Sequence, residues 1–180
     1  GYKVVKDLSV TVEFELIGEP VKTSVLAWTT TPWTLPGNVA LAVNETIDYV
    51  TIEKEDEGVG ETVRFIVAKD LLKNIFGEEG YEIVEEYKGT KLVGKSYKPL
   101  FEYYTNDKTI VNGENGWKIY HADFVTTEKG TGIAHEAPAF GEDDMELAKT
   151  AKLPVIHHVT LDGMFAPEVS DFVGLQAKPK

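Results

Sequence analysis

Apolar and polar residues alternate from position 10 to 16. Val10, Val12, Phe14 and Leu16 fall on one side and Thr11, Glu13 and Glu15 on the other, the period-two signature of a strand with one wet face. Further strand-like runs are predicted at 23–28, 39–43, 48–54, 62–68, 81–87, 108–112 and 117–126. Turn residues punctuate them: Gly18-Glu19-Pro20, Pro36-Gly37-Asn38, Gly58-Val59-Gly60, Gly113 and Gly116. Two stretches read as helix. One is 69–76, ended by Gly77; the other is 142–151, whose opening Glu142, Asp143 and Asp144 place anions at the positive end of the helix dipole. Strands outnumber helices and no β-α-β alternation occurs, so a mainly β (α+β) fold is predicted, a closed or nearly closed β-barrel with a few peripheral helices rather than a doubly wound sheet. No repeat, low-complexity segment or linker divides the chain. A single domain over 1–180 is expected, with 1–7 and 176–180 as connector ends.

At 180 residues such a domain can bury a proper core without metal or disulfide support. The 42% apolar and 11% aromatic content is too rich for disorder. The chain has no cysteine, which removes disulfides, thiolate metal sites and a cysteine nucleophile together. The longest apolar run, 39–43, is far short of the roughly 20 residues that span a bilayer, and the start carries no signal-peptide core, so no membrane partner is expected. The net charge of −12, with Arg64 the single arginine, argues against a module that wraps a nucleic-acid backbone by itself. A nucleic-acid partner would be held mainly by something else, or touched only at one end.

Two motifs match by letter. Gly89-Thr90-Lys91-Leu92-Val93-Gly94-Lys95-Ser96 fits the phosphate-loop pattern and keeps a nucleotide-binding reading open. Against it stand bulky Leu92 and Val93 inside the loop and Pro99 where the phosphate-cradling helix should start. His135-Glu136 begins like a zinc-protease helix, but position 139 is Ala and Pro138 would break the helix. His157 and His158 are neighbours that would point to opposite faces of a strand. No metal site and no cofactor are expected, and there is no serine-hydrolase elbow.

Two segments are unusual. Trp28-Thr29-Thr30-Thr31-Pro32-Trp33-Thr34-Leu35-Pro36-Gly37-Asn38 is a strand end running into a proline-stiffened loop crowded with hydroxyls; by itself it is also an ordinary edge strand and turn. Gly130-Thr131-Gly132-Ile133-Ala134-His135-Glu136-Ala137-Pro138-Ala139-Phe140-Gly141-Glu142-Asp143-Asp144 delivers His135 on a glycine-flanked strand and then opens a helix that presents Asp144. By itself it is also a solvated acidic helix start beside a satisfied histidine. As a pair, about a hundred residues apart, they resemble the editing domain of isoleucyl-tRNA synthetases, the insertion called connective peptide 1 in this class I family. The resemblance covers essentially the whole chain. It includes 94–101, similar to that family's Gly-x-x-Tyr-x-Pro-x-Phe segment. The sister domains for valine and leucine carry Thr-Thr-Arg-Pro where this chain has Thr-Thr-Thr-Pro. The synthetic signatures His-Ile-Gly-His and Lys-Met-Ser-Lys-Ser are absent, as expected of a domain excised from a larger synthetase.

The resemblance implies a β-barrel of the Val/Ile/Leu-tRNA synthetase editing type. Its implied activity is hydrolysis of misacylated valyl-tRNA(Ile), with valyl-adenylate as a further candidate, in the cytoplasm. The implied partners are the 3′ end of that tRNA and the parent's remaining domains. It casts Thr29, Thr30, Thr31 and Asp144 as catalytic residues, the threonines through water orientation and oxyanion stabilisation and Asp144 through the substrate ammonium. Trp28, Thr34, Asn38 and His135 are cast as substrate-binding, with His135 at the amino-acid side-chain pocket. Two other readings stay open: a noncatalytic module that binds a tRNA end, and a nucleotide-binding domain using 89–96.

Overall fold

The computed structural model describes residues 8–56, 58 and 60–178. The connector residues expected at 1–7 and 179–180, and Val59 of the turn at 58–60, lie outside the described residues.

The alternating run at the start forms β1 (Val10–Glu15), which pairs antiparallel with β2 (Thr23–Thr29), Phe14 opposite Val25. Later come β3 (Ala40–Val43), β4 (Asp48–Glu55), β5 (Thr62–Ala68), β6 (Glu82–Lys88), β7 (Lys118–His121) and β8 (Ala134–Glu136). They make a five-stranded sheet, β1-β2-β5-β4-β6, with only β2–β5 parallel, and a three-stranded sheet, β7-β3-β8. The segment at Ser96 and Tyr97 stitches the sheets together, bridging to Leu16 just past β1 and to Lys118 of β7. On the far side the Ala68 N–H bonds the Thr131 carbonyl at 2.9 Å. The fold is mainly β with few helices, as predicted; its described strands form two sheets rather than one continuous hydrogen-bonded ring.

Pleat alternation sorts the cores. Phe14, Val25, Leu41, Val43, Tyr49, Ile66, Leu92, Tyr97 and Ile119 fill the space between the sheets. The next residues along the same strands, such as Leu26, Val50, Ile52 and Val67, face outward onto Leu72 of α1 (Leu72–Phe76). Val39 and Ala40 face α2 (Glu142–Ala151) through Ala148. Covering both faces explains why β2 and β3 read as continuous apolar runs rather than alternating ones.

Both predicted helices form, the first entered through a 3-10 turn at Lys69–Leu71 and ended by Gly77 at φ +81°. Two strand expectations do not hold. Residues 108–112 form turns because Asp107 Oδ1 accepts from both the Thr109 N–H (2.9 Å) and its hydroxyl (2.6 Å), a local side-chain bond that replaces a ladder. The run at 117–126 keeps only Lys118–His121 as strand, since Trp117 enters at φ +56° and the chain turns after Ala122.

Candidate functional site

The site is built where the end of β2 meets β8. Beyond Thr29 the chain tightens into a 3-10 helix, Pro32–Gly37, with Pro32 in its first turn where no N–H is needed. The Thr34 N–H bonds the Thr31 carbonyl at 2.9 Å and the Asn38 N–H bonds the Leu35 carbonyl at 3.0 Å. That tight winding, in place of the expected loop, turns the hydroxyls of Thr29, Thr31 and Thr34 toward one another. Thr29 Oγ1 lies 3.3 Å from Thr31 Oγ1 and accepts the Thr31 N–H at 3.1 Å. Thr31 Oγ1 is 3.5 Å from Thr34 Oγ1, and Thr34 donates to the Thr31 carbonyl at 2.8 Å.

His135 arrives from the opposite direction. β8 is antiparallel to β3, with His135 opposite Leu41, so its ring faces the space between the sheets while Glu136 faces α2. The glycines before β8 are required for this approach. Gly132 has φ +75°, and a Cβ there would lie 2.4 Å from the Cβ of Ala68. The Tyr49 hydroxyl, donating to the Gly132 carbonyl at 2.6 Å, pins the same loop from inside the core. The His135 ring then sits between Thr34 Oγ1, 2.9 Å from Nε2, and Asn38 Nδ2, 2.8 Å from Nδ1. Burial, with nearby His158, pushes the imidazole down to about 3, so the ring is neutral at physiological pH.

Thr29, Thr31, Thr34, Asn38 and His135 thus form one hydrogen-bonded cluster. The other three predicted residues stand beside it. Thr30 is exposed and makes no side-chain hydrogen bond among the described residues. Trp28 points to the other face of β2, against Gly130, with the Lys129 ammonium 6.0 Å above its ring. There it lines a cavity of about 180 Å³ with Phe124, Thr126 and residues 130–134. Asp144, in the first turn of α2, bends back so that Oδ2 accepts the Ala137 N–H at 2.7 Å. It braces the loop just past His135 but makes no hydrogen bond to the threonines. Burial raises its pKa, and the Ala137 N–H lowers it in part.

Three contributors were not visible in the sequence. Tyr97, 1% exposed, donates to Asn38 Oδ1 at 2.6 Å. His158, fully buried, donates from Nε2 to the Trp33 carbonyl at 2.9 Å and stacks edge-on to Phe140, which meets Trp33 in the same way. Gly37 leaves room for that imidazole, since a Cβ there would lie 2.2 Å from His158 Nδ1. The motif around Tyr97 was recognisable, but its target 59 residues away was not. Among the described residues no cluster of three His, Asp or Glu side chains could hold a metal ion, and no helix is long and apolar enough to cross a membrane.

In comparison with known proteins, the chain is 43% identical over 180 residues to the isoleucine–tRNA ligase of Bdellovibrio bacteriovorus. It is 46% identical over 178 residues to that of Clostridium acetobutylicum. Each alignment takes in 99% of this chain and 16% of the relative, so the chain spans about one sixth of the length of these proteins. Among solved structures it resembles GlLeuRS-CP1, with a TM-score of 0.61 at 18% identity over 79% of this chain and 59% of the other. It also resembles the P. knowlesi cytosolic leucyl-tRNA synthetase editing domain, with a TM-score of 0.59 at 13% identity over 83% and 66%. At such identities the likeness establishes the fold. No family model matches the chain.

Proposed function

The chain belongs to the isoleucine–tRNA ligases by sequence and carries the fold of connective peptide 1 editing domains, and from that premise we propose that it is a proofreading hydrolase for valyl-tRNA(Ile). A missing methylene is worth only about 1–3 kcal/mol of binding, a general limit for which valine against isoleucine is itself the familiar worked case. A second site that hydrolyses the smaller product corrects the error.

The observation that carries the proposal is the seating of His135 against Thr34 and Asn38, beside the hydroxyls of Thr29 and Thr31. In hydrolysis, water attacks the ester carbonyl, the bond to the ribose oxygen breaks, and valine and a free tRNA hydroxyl leave. Hydroxyls of Thr29, Thr30 and Thr31 orient the water and meet the developing oxyanion. His135 is a wall rather than a base: both ring nitrogens are engaged and burial keeps it neutral. Asp144 meets the substrate ammonium with the carboxylate capacity that Ala137 does not use. The cavity beside Trp28, with exposed Phe124 and the Lys129 ammonium, suits the approach of a single-stranded, negatively charged 3′ end. The body of the tRNA is held by other domains of a parent synthetase, in the cytoplasm, which is why this acidic chain needs no basic stripe. Valyl-adenylate is a second substrate of the same pocket.

The nucleotide-binding alternative fares poorly on geometry. Leu92 is fully buried in the core, Lys95 Nζ is paired with Glu19 at 2.7 Å, and the residues after 94 bridge strands instead of opening a helix. The deciding experiment incubates the purified chain at high concentration with valyl-tRNA(Ile) and follows released valine. Hydrolysis above the spontaneous rate is expected; binding of the tRNA end without release would point to the noncatalytic module.

A further inference from the structure

The hydrogen bonds around His135 fix the protons of Asn38, His135 and Thr34, and they lead outward to Tyr97. The Ala40 carbonyl can only accept, so the end of the Asn38 amide that meets it at 2.9 Å is the NH2 group. The second hydrogen of that group goes to His135 Nδ1 at 2.8 Å, which must offer its lone pair. A neutral imidazole with a bare Nδ1 carries its proton on Nε2, and that N–H donates to Thr34 Oγ1 at 2.9 Å. Thr34 donates its own hydroxyl hydrogen bond to the Thr31 carbonyl at 2.8 Å. The remaining Asn38 atom, Oδ1, is buried and meets the Tyr97 hydroxyl at 2.6 Å, which donates. Burial pushes the Tyr97 phenol well above its ordinary value, so it remains a donor at any working pH.

We infer that Tyr97 is a positioning residue: acting through Asn38, it holds His135 as the Nε2–H tautomer with the ring immobilised against Thr34. Tyr97 is itself fixed, its ring edge-on to Phe14 at 5.3 Å and its backbone bonded to Trp117 at 3.1 Å in the segment that joins the two sheets. The seam of the fold therefore sets the rigidity of the wall. A wall that must separate side chains differing by one methylene works only if its ring cannot swing aside. The Ala40 carbonyl anchors the donor end of the amide and Tyr97 the acceptor end, so removing the hydroxyl frees the amide to twist and loosens both bonds to the ring.

The test is Tyr97→Phe, which keeps the aromatic packing and deletes one oxygen. The first readout is the pair of imidazole 15N shifts of His135 in the labelled chain, assigned by their loss in His135→Gln. The wild type is expected to show a protonated Nε2 and a bare Nδ1, and Tyr97→Phe averaged or broadened shifts in a protein that still unfolds cooperatively, at a melting temperature lowered by the loss of the buried Asn38 Oδ1 partner. The second readout, which rests on the proofreading reading, is the ratio of isoleucyl to valyl ester hydrolysis, expected to rise severalfold in Tyr97→Phe. A wild type protonated at Nδ1, or a Tyr97→Phe protein with unchanged shifts, overturns the relay. Changed shifts with an unchanged ratio overturn its role in specificity. A wild type that hydrolyses neither ester defeats the proofreading reading alone, and the shifts still judge the relay.

Discussion

Glu136 is fully buried, and neither carboxylate oxygen has a hydrogen-bond partner among the described residues. Burial, reinforced by Asp144 and Asp143 at the start of α2, raises its pKa well above 4.5. The native state therefore keeps a proton that a glutamate in the unfolded chain has already lost, so stability falls as pH rises above about 4.5. His135 acts with the opposite sign on the acid side. Between about 3 and 6.5 the unfolded chain binds a proton that the folded imidazole refuses, so stability falls as pH is lowered through that window. Glu136→Gln removes the first effect and leaves the second. Denaturant midpoints at pH 5 and pH 8 are expected to show the variant gaining on the wild type toward pH 8, by no more than about 1.4 kcal/mol per pH unit. An equal difference at both pH values would mean that Glu136 ionises as freely in the folded protein as in the unfolded one.

At the scale of elements, β8 depends on the glycine loop before it more than on its own three residues. Gly132→Ala meets both a left-handed backbone and the Ala68 Cβ, and a loss of about 2–4 kcal/mol is expected from strain plus overpacking. Chemical denaturation measures it, and a loss below about 0.5 kcal/mol would show that the loop can shift without consequence. Most elements were legible in the sequence because alternation and helix-end signals are local. β1 and α2 follow directly from Val10-x-Val12-x-Phe14 and from the acidic run at Glu142. The false strand at 108–112 failed because Asp107 satisfies Thr109 locally. The 3-10 winding at Pro32–Gly37 was hidden for another reason: it is stabilised by His158, whose bond to Trp33 spans 125 residues. The threonines, Asn38 and His135 could be nominated from two segments. Their mutual geometry, and the parts played by Tyr97 and His158, depend on contacts that no local pattern encodes.

As a whole, the molecule places a hydroxyl-and-imidazole cluster at the rim between two sheets, with Trp28 and its cavity on the neighbouring face and a net charge of −12 over the chain. In the proposed function one wall, His135, separates two nearly identical esters, and the most direct measurement compares hydrolysis of valyl-tRNA(Ile) and isoleucyl-tRNA(Ile) by the wild type and by His135→Ala. The wild type is expected to favour the valyl ester. The variant, with the imidazole gone, is expected to gain isoleucyl hydrolysis, raising the isoleucyl-to-valyl ratio by about tenfold or more, within the 1–3 kcal/mol that a methylene commands. An equal loss of both activities, or an unchanged ratio at wild-type rates, would contradict the account.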